Sequence, residues 1–325
     1  MSRRGWALFV AMAVIWGIPY LLIKVAVEEI APATLVLART ALATGLLLPV
    51  ALARGMIRPL GPSWRPLLLY TGIEICAPWL LLGFAEQRLS SSLTGLLVAG
   101  VPLVGALLAW LGPDRERLGG RRLLGLLVGV AGVGALVGFE VGAGDAKAIV
   151  AIALVAVCYA TGPFILARRL SDLPALGVVA ASLAISALAY VPAGVLQAPA
   201  SWPSGRATLA VVVLAVVCTA VAFLVFFALI AEVGAARSTV ITYVNPAVAV
   251  LLGVLILDES FTFATAAGFA LILIGSVLAT SRPRATAAPA VAPAPVDASA
   301  PTGAAPPAAR TEVDCAALPR NAPAP

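Results

Sequence analysis

The chain has 325 residues, of which 62% are hydrophobic and only 11% are charged, and its net charge is +6. A soluble domain is about 45–50% apolar and about 25% charged, and a water-soluble fold could not bury the apolar excess found here. The sequence therefore predicts an integral membrane protein. Strand-period alternation is absent, which favours membrane helices over a barrel.

Several kinds of chemistry are excluded by the residue inventory. The chain has no histidine, and its four cysteines are far apart without a CxxC pair, so we expect no metal site and no disulfide framework. The chain also lacks the nucleotide-binding motif GxxxxGK[ST], the hydrolase motif GxSxG and the metalloprotease motif HExxH. These absences argue against an enzyme and against any cofactor. The basic residues lie in short loops, so nucleic acid is not an expected partner.

Apolar runs long enough to cross a bilayer occur ten times along the chain. Arg3 and Arg4 precede the first run, which continues to about Val27 and so favours an uncleaved span over a twin-arginine signal. The fold class predicted is an all-α polytopic membrane protein with short loops. The runs lie at about 5–26, 33–53, 65–85, 91–111, 120–139, 147–167, 174–196, 207–230, 236–257 and 262–281.

Basic residues are distributed unevenly between the two sets of loops. With the amino terminus placed inside, 14 Lys and Arg residues lie inside and 4 lie outside. The positive-inside rule then predicts that both termini are cytoplasmic in the cytoplasmic (inner) membrane. Residues 282–325 are Ala- and Pro-rich, with ten prolines, and are predicted to be a disordered cytoplasmic tail.

The second half of the chain repeats the first at an offset of 143–144 residues. Gly17–Lys24 aligns with Thr161–Arg168, and Pro102 aligns with Pro246. The predicted domains are therefore a first repeat over 1–140 and a second over 141–281. Each repeat contains five spans, and because five is odd the two repeats must cross the membrane in opposite directions. Inverted repeats of this kind are typical of transporters that work by alternating access.

These motifs resemble the EamA-type transporters of the drug/metabolite transporter superfamily. The resemblance covers about residues 5–281 and rests on Trp16-Gly17, on Arg39, and on two signatures that recur in the two repeats. One signature is Pro102 with Glu116, Gly125 and Gly132; the other is Asn245-Pro246-Ala247 with Glu259, Gly268 and Gly275. The resemblance implies ten helices around a central cavity lined mostly by spans 1–4 and 6–9. Glu74 is not part of the family pattern, so the resemblance gives it no role.

Glu74 is the residue most indicative of function, because it lies near the middle of span 3. A charge at that depth costs at least about 2.5–3.5 kcal/mol, so the side chain must face a cavity, find a partner or hold a proton. Pro78 cannot donate to the carbonyl of Glu74, which concentrates polar atoms at one level, close to Tyr70. Glu74 is thus a candidate proton carrier or ligand for a cationic substrate; the alternative is a protonated staple between helices.

Arg39 lies about a third of the way into span 2. It can bind a carboxylate or phosphate, or pair with Glu74. Alternatively, its side chain extends to the membrane interface.

Prolines near mid-span form repeat-related pairs and are candidate kinks or hinges. The alternative for each is a tolerated proline in a membrane helix. Aromatic and polar residues predicted to line the cavity form a second set, for which helix packing is the alternative. The hinge candidates are Pro19, Pro78, Pro102, Pro163 and Pro246. The candidate cavity residues are Trp16, Tyr70, Trp79, Tyr159, Thr242, Tyr243 and Asn245.

Two further features are interpreted as structural. Small-residue faces on spans 5 and 10 predict close helix packing, either within the bundle or between the protomers of a homodimer. Glu116 and Glu259 precede spans 5 and 10, where a carboxylate would cap the positive end of each helix.

The function predicted is a secondary transporter, an exporter by resemblance, of a small organic metabolite, amino acid or drug-like compound. Protons are the candidate coupling ion, and membrane lipids surround the protein. The alternatives are a membrane scaffold or sensor, which would tolerate loss of Glu74 and Arg39, and an intramembrane enzyme acting on lipids. Neither alternative explains the inverted duplication.

Overall fold

The computed structural model describes residues 1–111, 119–140 and 145–280. These residues belong to one compact unit, Met1–Arg282. The described part of the chain is almost entirely helical and contains no strand. Glu116 and the predicted tail lie outside the described residues.

Ten helices within the described residues are long and apolar enough to cross a membrane, as the sequence predicted. Span α3 begins earlier than predicted, because Arg58–Ser63 forms a 3₁₀ turn whose prolines suggest a loop in the sequence. The spans are α1 (Arg3–Val27), α2 (Pro32–Ala53), α3 (Arg58–Glu86), α4 (Ser91–Leu111), α5 (Gly120–Gly138), α6 (Ala146–Leu170), α7 (Ala175–Leu196), α8 (Gly205–Val233), α9 (Val240–Leu257) and α10 (Phe263–Thr280).

Large apolar side chains cover the outside of the bundle. Leu188 is 73% exposed and Leu196 is 85% exposed, and the side chains of Leu127 and Leu255 are also mostly exposed. In water such a surface would drive aggregation, whereas in a bilayer it contacts acyl chains of equal polarity. The exposed apolar surface is thus the lipid-facing surface of a multi-pass membrane protein.

Helix packing follows the repeat. Span α2 packs along α7, α4 along α9, and α5 along α10, so each of these pairs joins equivalent spans of the two repeats. Span α3 packs on α6, and its counterpart α8 packs on α1 in the same way. This pattern is unchanged when the two repeats are exchanged, as expected for a pseudo-two-fold arrangement.

The two ends of the bundle are identified by contacts between loops. At one end, Lys24 of α1 donates to the carbonyls of Glu86 and Leu89, and Ser204 donates to Glu29. The bonds from Ser204 lower the pKa of Glu29 because they stabilise its carboxylate. At the other end, Ser2 donates to Glu232. We name the first of these the Lys24 end. The second, which carries Arg3 and Arg4 at the start of α1 and Arg54 after α2, we name the Arg-rich end.

The small-residue faces of α5 and α10 are used within the bundle. A Cβ added at Gly132 would lie 2.8 Å from the backbone nitrogen of Ile272, and one at Gly125 would overlap the backbone of Ala279. Glycine therefore permits backbone contact between these helices. A homodimer stays a prediction, and these faces are not available to form it.

Repeat-related irregularities interrupt four spans. The helix is π-helical over Gly72–Cys76 in α3 and over Val216–Val221 in α8, and 144 residues separate Gly72 from Val216. Span α4 breaks between Val98 and Val101, and α9 changes from a 3₁₀ helix at Thr239–Tyr243 to an α-helix at Asn245.

The five candidate hinge prolines differ in their surroundings. Pro78 follows the π-helical segment of α3, and Pro102 and Pro246 each lie in the first turn after a break. The α-helix instead continues through Pro19 and Pro163. A hinge role is therefore best supported for Pro78, Pro102 and Pro246, and it stays a prediction for all five.

Replacement of Gly132 by Ala tests the contact between α5 and α10. The added methyl group would meet backbone that cannot move aside, and overpacking costs about 1–3 kcal/mol. We expect a lower thermal unfolding temperature for G132A in detergent. The control is G134A on the same helix, where nothing lies within 4 Å of the added Cβ and the stability should not fall. Equal stability of the two variants would contradict the close contact.

Candidate functional site

Glu74 lies in the π-helical segment of α3 and faces the second repeat. A Cβ added at Gly162 of α6 would overlap the Glu74 carboxylate, so the carboxylate lies directly against the α6 backbone. Its Oε2 atom is buried and makes no hydrogen bond. Only glycine, which lacks a Cβ atom, leaves room for this contact at position 162. The carboxyl group is therefore held between the two repeats and not against lipid.

Two tyrosines lie near this carboxylate. Tyr70, one turn earlier on α3, interacts electrostatically with Glu74 and is buried. Tyr159 of α6 interacts with both Glu74 and Arg39 and lies beside the side chain of Trp79. Tyr159 thus lies near both the carboxylate on α3 and the guanidinium on α2.

Arg39 of α2 is only 7% exposed although it carries a full charge. Its guanidinium stacks on the ring of Trp79, 3.7 Å from the centroid, and its Nε donates to Thr219 Oγ1 at 2.9 Å. The cation–π contact and the hydrogen bond together offset part of the cost of burial. Arg39 therefore points into the bundle, and it forms no ion pair with Glu74.

The π-helical segments of α3 and α8 position Glu74 and Thr219. An extra residue per turn leaves backbone carbonyls without their usual partners, and such segments are frequent at functional sites. Tyr190 donates to the carbonyl of Cys76 at 2.9 Å, and Thr219 donates to the carbonyl of Leu214 at 2.7 Å. Thr219 is consequently oriented towards Arg39. We name Arg39, Glu74, Trp79, Tyr159 and Thr219 the central cluster.

Residues 3–138 and 146–281 each match the EamA-like transporter family. The chain belongs to the EamA-like transporter family. It is consequently a multi-pass membrane transporter of the drug/metabolite transporter superfamily, built from two repeats as predicted, and the family implies a small-molecule substrate.

A solved structure supports the fold. A crystal structure of a protein with 23% sequence identity superimposes with a TM-score of 0.61, covering 86% of this chain and 97% of that one. At this level of identity the likeness concerns the fold alone. No sequence among the curated proteins matches the transporter.

Trp16 and Tyr243, two other predicted site residues of the transporter, contact residues outside the central cluster. Trp16 packs on Phe226, with ring centroids 4.7 Å apart. Tyr243 is hydrogen bonded to Thr280, 3.2 Å away, and Thr242 is exposed. With its amide turned so that the nitrogen meets acceptors, Asn245 can donate to the carbonyls of Ile241 and Ala13, and the second of these bonds would join α9 to α1.

A second polar region, at the Lys24 end, was not predicted. Glu86 is fully buried, and neither of its carboxylate oxygens makes a hydrogen bond. Nearby, a cavity of about 280 Å³ is lined by Arg88, Asp145 and Glu259 among others. Glu86 lies beside charged loop residues in the sequence and resembles part of a loop, which is why sequence reasoning missed it.

Glu259 corrects one prediction. Its carboxylate oxygens accept from the backbone nitrogens of Ser91 and Ser92, at 2.7 and 2.9 Å. It therefore caps α4 of the first repeat and not α10, which is capped by Thr262. Span α10 begins four residues after Glu259, while the free N–H groups of α4 lie directly opposite the carboxylate. Glu259 thus joins the two repeats of the transporter.

Substitution of Glu259 by Gln tests this cross-repeat cap. The amide nitrogen of Gln cannot accept from the second N–H group, and leaving it without a partner costs about 1–3 kcal/mol. We expect E259Q to unfold at a lower temperature in detergent. D258N serves as the control, because it removes a neighbouring exposed charge and Asn tolerates the positive φ of 53° at this position. Equal losses in the two variants would indicate a general charge effect and contradict the cap.

Proposed function

We propose that this transporter exports a small organic solute across the cytoplasmic membrane by alternating access, with Glu74 as the carrier of a coupling proton. The solute is a metabolite, an amino acid or a drug-like compound. The Arg-rich end and both termini are cytoplasmic in this proposal, in accordance with the positive-inside rule. Alternating access is the exchange of conformations between the two inverted repeats.

The observation that carries the proposal is the position of Glu74 between the repeats. Its carboxylate lies against Gly162 of the second repeat, and Oε2 lacks a hydrogen bond. Burial of an ionised carboxylate without a partner is costly, so the group must take up a proton or another ligand when enclosed. A movement of α3 relative to α6 would expose it and permit release. Proton binding and repeat movement are thereby coupled.

The remainder of the central cluster supports recognition of a solute. Arg39 supplies a fixed positive charge, and Trp79 and Tyr159 supply flat apolar surfaces beside it. A solute with one charged group and an apolar body fits these features. Since Arg39 is stacked and hydrogen bonded, it is already oriented before a solute arrives.

The first experiment identifies a solute and then tests proton coupling. Purified transporter is screened by thermal shift against amino acids and small organic anions and cations, because a bound ligand raises the unfolding temperature. The compound with the largest shift is then supplied to proteoliposomes under an imposed pH gradient.

We expect the pH gradient to drive uptake by the wild-type protein and not by E74Q, whose side chain cannot exchange a proton. Exchange of the solute without a gradient should persist in E74Q. E28Q, an exposed carboxyl at the Lys24 end, should behave as wild type. Gradient-driven uptake by E74Q at the wild-type rate would rule out Glu74 as the carrier.

A further inference from the structure

A carboxylate of the first repeat is hydrogen bonded to the second repeat at the Lys24 end. Glu29, in the loop between α1 and α2, accepts from the backbone nitrogen of Ser204 at 2.7 Å and also from the Ser204 hydroxyl. The same hydroxyl accepts from the backbone nitrogen of Ala207 at 3.2 Å, in the first turn of α8. Ser204 therefore joins the start of α8 to the loop that connects α1 and α2. We name the contact between Glu29 and Ser204 the Glu29 interlock.

The Glu29 interlock can form and break during transport. Its bonds involve an ionised carboxylate and a helix start, where backbone N–H groups have no partner within the helix, so they favour closure of the Lys24 end. Glu29 and Ser204 are both exposed, so water solvates each group when the contact opens, and neither is left buried without a partner. The contact therefore stabilises one conformation without making it permanent.

The internal repeat places the same residue types at the Arg-rich end. The pattern Pro-Ser-x-Arg occurs at residues 62–65, where α3 turns from a 3₁₀ to an α-helix, and again at residues 203–206, at the start of α8. Asp172, in the loop between α6 and α7, lies 143 residues after Glu29. Each of these two acids is followed by a branched aliphatic residue, and a Pro-Ala pair begins within three residues. Asp172 is therefore the counterpart of Glu29, and the serines of the two patterns are counterparts of each other.

The counterpart contact at the Arg-rich end is not formed between the described residues. Ser63, the serine of the first pattern, makes no side-chain cap to the α-helical turn that follows it. Asp172 accepts instead from Ser171, its neighbour in the chain, at 3.4 Å. The two segments nevertheless touch, because Leu173 packs against the apolar cluster that contains Leu60. A local movement of these loops would thus bring the Asp172 carboxylate to Ser63.

We propose that Asp172 and Ser63 form a second contact, the Asp172 interlock, which closes at the Arg-rich end when the Glu29 interlock opens. In a transporter with inverted repeats, the exchange of conformations gives each residue of one repeat the contacts of its counterpart in the other. The contact of Glu29 with Ser204 is then replaced by that of Asp172 with Ser63. The two carboxylates alternately stabilise closure of the two ends. This inference rests on the alternating access of the proposed function.

The distance between spin labels at positions 61 and 171 tests the Asp172 interlock. The labels are placed in the full-length, cysteine-free transporter, which is reconstituted in liposomes. Both positions are exposed, and they lie close to Ser63 and Asp172 in the chain without replacing either residue. A Cβ added at Gly61 meets nothing within 4 Å, so a label fits there. Closure of the interlock gives a shorter distance, and the measured quantity is the ratio of the short-distance to the long-distance population.

We expect E29A to raise this ratio at least about tenfold, because the loss of a hydrogen bond to a charged group shifts an equilibrium by about that factor or more. E28A, which removes the adjacent exposed carboxyl group, is the matched control and should leave the ratio unchanged. Addition of D172A to E29A should return the ratio to the wild-type value, because both interlocks are then lost. S204A should change the ratio in the same direction as E29A, so the test remains informative if E29A folds poorly.

Two results would overturn the Asp172 interlock: a ratio in E29A and S204A equal to that in E28A, or a raised ratio that persists when D172A is added to E29A. Either result leaves the carrier role of Glu74 intact if gradient-driven uptake is still lost in E74Q. Conversely, normal gradient-driven uptake by E74Q would refute the carrier role whatever the distance between the labels is.

Discussion

The structure depends on the cost of placing a carboxylate in a bilayer. Helices satisfy their own backbone groups, but Glu74 cannot be satisfied by its own span, so α3 must turn it towards another helix. It meets α6 of the other repeat at Gly162, the one residue type whose surface accommodates a carboxyl group at backbone distance. The interface between the repeats thereby contains a carboxyl group at mid-span, in addition to the polar contacts that Glu259 and Glu232 make at its two ends.

The inverted repeat distributes this polarity unequally. Cys218 in α8 occupies the position equivalent to Glu74 in α3, and each lies in a π-helical segment. One segment thus presents a carboxyl group, and the other presents Thr219 to Arg39. The architecture is symmetric and the chemistry is not. An exchange of conformations between the repeats would therefore change the surroundings of Glu74 without creating a second equivalent site.

Much of the fold was predictable, because bilayer thickness sets the length of each apolar run and one period relates the two halves. The ten spans and the repeat follow from such rules, and the cost of a mid-span charge predicted that Glu74 would not face lipid, whereas the sequence left the direction of Arg39 open. The contact partners of the polar side chains could not be predicted from the sequence. Neither the stacking of Arg39 on Trp79 nor the capping of α4 by Glu259 has a local signal, since each joins residues distant in sequence. Glu86 was missed because hydropathy treats a charge at the end of a span as part of a loop.

The central claim is that protonation of Glu74 is linked to opposite movements at the two ends of the bundle. Distances between pairs of spin labels, measured by double electron–electron resonance in a cysteine-free background, test it. One pair, at positions 88 and 202, reports on the Lys24 end, and the other, at positions 54 and 171, reports on the Arg-rich end. The account predicts that one distance lengthens and the other shortens when the pH is lowered, and that E74Q abolishes both changes. Distances that do not respond to pH, or that change in the same direction at both ends, would contradict it.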